Sequence, residues 1–201
     1  MCRKIIVLCL VLALASNLGA GETRTGVSVW ELTLQKEAVP SIKPTFRAYL
    51  TSEKHKFAFF VPPDLSVVND AGKIKFLNAE GNCLMSLSVM GPLPESGELN
   101  TAACQDHLMA EHPNAIVLSQ FSRVVAGHSG PGFDIEWSMD KRIIVCQRTV
   151  YVPSPLGVLE FSATTTRANF PALRASLDSV ITTFRVDKDG KLDNVHLSPN
   201  S

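Results

Sequence analysis

The stretch AGHSGPGFDIEWSM, residues 126–139, decides between two unrelated architectures. Its Gly127-His128-Ser129-Gly130 comes close to the G-x-S-x-G elbow of serine hydrolases, in which a strand turns sharply into a helix and exposes the serine oxygen. Here Pro131 follows Gly130, and the next glycine, Gly132, arrives one place late. Phe133, Ile135, Trp137 and Met139 then alternate with Asp134, Glu136, Ser138 and Asp140, the period of a strand with one apolar face. A strand stands where the elbow needs a helix, so no helix N-terminus is there to help build an oxyanion hole. The segment reads as a turn between two strands, with Gly127, Gly130 and Gly132 as structural residues supplying backbone of positive φ. Ser129 is not a nucleophile, and no catalytic residue is assigned.

Outward from this hairpin, residues 117–125 read as the preceding strand, and Asp140-Lys141 turns the chain into a strand over 142–152. Residues 153–157 connect it to another over 158–165. Upstream, 46–50 and 56–61 flank the charged turn Ser52-Glu53-Lys54-His55, and 73–77 with 83–90 form a hairpin around Asn78-Ala79-Glu80-Gly81. Trp30, Leu32 and Leu34 alternate with polar residues, as a first strand or a docking segment would. One helix is capped by Asn100 or Thr101 and stops at Pro113. A second covers 170–184, where Phe170, Leu173, Leu177, Val180, Ile181 and Phe184 make an apolar stripe at spacings of three and four. Strands joined by such short turns are antiparallel, because parallel neighbours need a long crossover. The expected fold is α+β: an antiparallel sheet of about six strands flanked by helices in an α/β/α sandwich.

The N-terminus has the layout of a secretory signal peptide: Arg3 and Lys4, an uncharged run from Ile5 to Ala15, then small residues to Ala20. An uncleaved anchor is the alternative, although the run falls short of the roughly 20 apolar residues that span a bilayer. The chain of 201 residues then divides into a signal peptide (1–20), an extension and linker broken at Pro40 and Pro44 (21–44), one domain (45–186) and a polar tail (187–201). The expected location is the periplasm or the exterior, with no membrane span after cleavage. Hydrophobic content of 45% suits a globular core. With 19 basic and 19 acidic residues and no basic cluster, nucleic acid is excluded as a partner.

Three further groups carry chemistry. Cys104, His107 and Glu111 are spaced i, i+3, i+7 on the first helix, all three being competent zinc ligands. The arrangement matches neither HExxH nor a paired C-x-x-C, so no metal site and no cofactor is assigned from it. Cys104 with His107 would also serve a thiol enzyme, with the thiolate favoured by the helix N-terminus. Cys83, Cys104 and Cys146 leave one free thiol beside a bridge, or three free thiols. Cys83 alternates with Met85 and Leu87 and so reads as core-facing, and a Cys83–Cys104 bridge forms if the first helix packs on that face. Arg148, Arg167 and Arg174 with Glu160 would line a polar surface if the last hairpin brings them together. Asp187 to Asp193 fails as a calcium loop, because Arg185 and His196 occupy the ligand positions that Gly190 would require to be acidic.

Three motifs resemble the PsbP-like proteins and their DcrB-like bacterial relatives. They are Phe57-Ala58-Phe59-Phe60-Val61-Pro62-Pro63-Asp64, the Ala126–Gly130 turn with its alternating strand, and Gly157 to Thr165 followed by the stripe from Phe170 to Phe184. The resemblance covers roughly residues 46–186 and implies an antiparallel sheet sandwiched by helices. It also implies an exported, non-catalytic accessory protein that docks on a protein partner in the cell envelope. The competing expectations are a thiol- or metal-dependent enzyme centred on Cys104, His107 and Glu111, and a carrier with an apolar pocket for a small ligand.

Overall fold

The computed structural model describes residues 31–37, 45–52, 55–139 and 142–187. The expected signal peptide, most of the linker and all but the first residue of the expected tail lie outside the described residues. No described helix is long and apolar enough to cross a membrane.

The elements are mostly strands. β1 (Glu31–Glu37), β2 (Thr45–Thr51), β3 (Lys56–Val61) and β11 (Arg185–Val186) form a four-stranded antiparallel sheet in the order β1-β2-β3-β11. β4 (Ser66–Asp70), β5 (Lys73–Leu77), β6 (Cys83–Gly91), β7 (Ile116–Val125), β8 (His128–Ser138), β9 (Ile144–Ser154) and β10 (Gly157–Thr166) form a seven-stranded one, ordered β4-β5-β6-β10-β9-β8-β7. Two helices complete the chain, α1 (Thr101–Glu111) and α2 (Phe170–Thr183). The expected single sheet of six strands is thus two antiparallel sheets of four and seven. β4, with only Val67 and Val68 apolar among polar neighbours, and the two-residue β11 are too short to carry a period. β1 pairs with β2 along its whole length, from Glu31↔Thr51 to Glu37↔Thr45, so the folded unit begins ahead of the boundary expected near Thr45.

Strand parity gives the large sheet two different faces. On the first, Ile74, Phe76, Met85, Leu87, Val150 and Phe161 meet Leu50, Phe57 and Phe59 of the small sheet and Leu173, Leu177, Val180 and Ile181 of α2. The α2 stripe read from the sequence is therefore the stripe that packs. Phe184 locks the layers together, its ring 5.1 Å from Phe161 and 5.5 Å from Phe57. Each such fully buried side chain contributes about 1.5–3 kcal/mol. The cavity between the layers, lined by Leu50, Phe57, Ile74, Leu87 and Phe184, measures about 10 Å³. That is the space of one water, not of a carried ligand.

The second face is covered by α1, where Leu108 packs on Phe133, Ile135 and Tyr151. The cap forms as expected, with the Ala103 N–H donating to Asn100 Oδ1 at 3.1 Å. At the other end the His112 N–H donates to the Leu108 carbonyl, and its ring stacks on Trp137 at 4.4 Å. Both faces of β8 are consequently covered. Asp134, which alternation alone places toward solvent, is buried on the α2 side and paired there with Arg148.

Two expectations about individual residues change. The β7–β8 turn takes positive φ at Ala126 (49°) and Gly127 (84°), whereas Gly130 and Gly132 lie inside β8. Their requirement is closeness, not φ: a Cβ on Gly130 would fall 1.8 Å from the Tyr151 carbonyl oxygen, and one on Gly132 would meet the Phe121 ring. The Cys83–Cys104 bridge is not formed, and Cys83, Cys104 and Cys146 are all free thiols. Cys83 shares the parity of Met85 and Leu87, while α1 sits on the opposite face. Cys83 is also exposed, because it opens β6 beyond the cover of the core.

Candidate functional site

Under α1 the large sheet presents a polar row instead of a continuous apolar surface. Glu160 on β10 lies directly opposite Tyr151 on β9 and Ser88 on β6, all on the face that α1 covers. One turn of α1 sets His107 and Glu111 on the same side of the helix, above them. His107 Nε2 is 3.7 Å from Glu111 Oε1. One ligand atom from each of His107, Glu111 and Glu160 lies within 4.8 Å of the other two.

On the sheet side of this cluster, buried polar groups lack hydrogen bonds. Glu160 is 6% exposed. Burial, then the charge of Glu111, pushes its carboxyl up, while Lys73 and His107 pull it back, and no described residue donates a hydrogen bond to it. Tyr151 is 1% exposed, and its Oη has no hydrogen-bond partner among the described residues. Burial raises that phenol well above its usual range, reinforced by Glu160, Cys104 and Glu111. Other polar side chains on the same face do find partners. Ser86 Oγ is 2.8 Å from Ser162 Oγ, Thr164 donates to Gln147 Oε1, and Gln147 Nε2 donates to Thr149.

The expected triple is therefore split. His107 and Glu111 converge with Glu160, and Cys104 stands outside the set. Cys104 is half-buried, and burial pushes its thiol up, the opposite of what a thiolate nucleophile needs. The sequence grouped Glu160 with Arg148, Arg167 and Arg174, not with the acid and imidazole of α1. The parity of Glu160, opposite to Leu159 and Phe161, was the signal that it faces away from the main core.

The remaining sequence candidates do not converge. Arg148 lies on the α2 side of the sheet, bound by its Nε and Nη2 to Asp134 at 2.7 and 2.9 Å and by Nη1 to Asp178. Arg167 pairs with Glu136, and Arg174 is exposed on α2. Ser129 is exposed on β8 with its hydroxyl 2.8 Å from that of Ser122, and a strand follows it.

No family model matches the chain, and no curated protein sequence does. Among solved structures it is similar to a cyanobacterial PsbP (CyanoP) from Synechocystis sp. PCC 6803, at 14% identity and TM-score 0.47, over 85% of this chain and 99% of that one. It is also similar to LpqN, involved in cell envelope biogenesis of Mycobacterium tuberculosis, at 13% identity and TM-score 0.45, over 79% and 92%. A Pseudomonas aeruginosa protein of unknown function, PA94, a regulator candidate by its description, matches at 16% identity and TM-score 0.40, over 75% and 94%.

Proposed function

We propose that the chain is a non-catalytic accessory module that docks on a protein partner in the cell envelope, by accepting an extended segment of that partner as an eighth strand beside β7. The observation that supports this is the edge of the large sheet. An unpaired strand edge is a template for further pairing, and folded proteins blunt such edges with short strands, charge, proline or bulges. Here β4 has five residues and ends in Asn69 and Asp70, and β1 carries Glu31 and Lys36. β7 has ten residues, no proline and one charge, Arg123, which is turned toward Asp178. It exposes Ile116 (58%), Leu118 (49%) and Val124 (68%). A bulge at Leu118 is its one protective device and leaves Ser119–Val125 regular. Main-chain hydrogen bonds would supply the affinity of such an added strand, and the alternate apolar side chains its specificity.

The test is photo-crosslinking in cells from Leu118 and Val124, with the exposed Val68 on β4 as the control position. The expected outcome is one protein trapped from both β7 positions through an extended peptide, and loss of the trapping from Leu118 in an Ile116→Lys/Val124→Lys variant of unchanged thermal stability. Equal trapping from Val68, or unchanged trapping in the double variant, would overturn the reading.

A further inference from the structure

We propose that His107, Glu111 and Glu160 form a binding site for a single divalent cation of the zinc class, which clamps α1 onto β10. The donor set is one imidazole nitrogen and two carboxylates from two separate elements, brought within 4.8 Å of one another. Zinc binds nitrogen and oxygen ligands at about 2.0–2.2 Å, so tetrahedral neighbours stand roughly 3.3–3.5 Å apart. The 3.7 Å between His107 Nε2 and Glu111 Oε1 already approaches that spacing.

One unpartnered group outside the cluster, Tyr151, and one buried member of it, Glu160, point to a ligand. A carboxylate removed from water without a hydrogen bond or counter-charge is costly, and this protein solves the problem elsewhere: Asp134 receives two bonds from Arg148 and one from Ser119. Glu160, equally buried, receives no hydrogen bond among the described residues and has only the charges of Lys73 and His107 to set against its burial. Tyr151 Oη is likewise buried without a partner, directly across the strand pair from Glu160. A cation at Glu160 answers both needs. It neutralises the two carboxylates, and the phenol O–H then has a ligand oxygen or a metal-bound water to donate to, the usual outer-layer support of a metal site.

The chemistry selects the class of ion. An imidazole ligand disfavours magnesium and calcium, which take oxygen ligands, and the absence of a thiolate from the set disfavours the softest ions. Three protein ligands leave a fourth position for water. The clamp also has mechanical sense, because Leu108 is the one α1 residue fully in the core, and the helix otherwise has a weak apolar stripe.

The test uses the chain from residue 21 onward without an affinity tag, stripped with chelator and titrated with Zn²⁺ alone by calorimetry. One equivalent should bind. Affinity should fall at least tenfold in His107→Ala and in Glu160→Gln, and stay unchanged in Cys83→Ala and Cys104→Ala. Hydrogen exchange of the α1 amides should slow on adding Zn²⁺ in the wild type but not in Glu160→Gln, a near-isosteric change whose folding is checked by an unchanged melting point without metal. Absent binding, binding that survives in both ligand variants, binding lost with Cys104, or equal binding of Mg²⁺ would each overturn the proposal.

Discussion

Replacing Asp134 by alanine should destabilise the protein far more than replacing Asp134 and Arg148 together by apolar residues. Arg148 is 8% exposed and Asp134 7%, and the guanidinium is held by a two-point bond to Asp134, by Asp178, and by the Phe121 ring 4.4 Å from its centre. Removing one partner of a buried ion pair strands the other charge, at a cost of about 3–5 kcal/mol. Asp178 keeps its bonds in the variant, which argues for the lower end, about 3 kcal/mol. For a domain of this size that lowers the Tm by about 6–12 °C. An Asp134→Leu/Arg148→Met protein loses the attraction and both desolvation costs together, and should lie within about 1 kcal/mol of wild type. The assay is urea unfolding followed by tryptophan fluorescence, with m values compared to confirm a common unfolded state. An Asp134→Ala cost below about 1 kcal/mol, or a double variant no better than the single one, would refute the account of this network.

Gly130→Ala should be worse than Gly127→Ala. The first drives a Cβ to 1.8 Å from the Tyr151 carbonyl oxygen and must part β8 from β9, while the second meets open space and carries only the strain of positive φ, about 1 kcal/mol. Thermal melts of the two variants decide it, and equal melting points would contradict the close-approach argument. Ser129→Ala should leave both stability, to within about 0.5 kcal/mol, and any cellular phenotype unchanged, since its hydroxyl meets only that of the exposed Ser122. Complementation of a deletion strain reads this out, and a null phenotype with normal folding would restore the hydrolase reading. Among Cys83, Cys104 and Cys146, an aromatic disulfide reagent at pH 8 should modify Cys83 first, because burial raises the thiols of Cys104 and Cys146 above their ordinary value. Raising the pH should speed the two slow thiols, as more of each becomes thiolate, and peptide mapping that found Cys104 fastest would reverse the assignment.

Local rules account for what was legible along the chain. Period two announced β8, and a stripe at three and four announced α2. Asn100 and Pro113 bracketed α1, because a cap and a proline act within one turn of where they stand. Gly127 and its turn were readable for the same reason, as was the failure of the GHSG segment to be an elbow. The length of the sheet was not, since a two-residue strand such as β11 or a mixed one such as β4 has no period to detect.

What lay beyond the sequence is everything that depends on which strand sits beside which. β6 pairs with β10 across the whole α1–β9 segment, and only that pairing builds the face on which Glu160 stands. Asp134 looked solvent-facing until α2 closed over it, and Cys83 looked core-facing until the core ended short of it. The triple Cys104, His107, Glu111 was a property of one helix, and the cluster His107, Glu111, Glu160 is a property of a helix lying across a sheet. A side chain's periodicity is set by its own backbone, so the sequence by itself determined the elements and their faces. Its neighbours across strands and layers are set by the burial of those faces against one another, so only the tertiary structure decided the site.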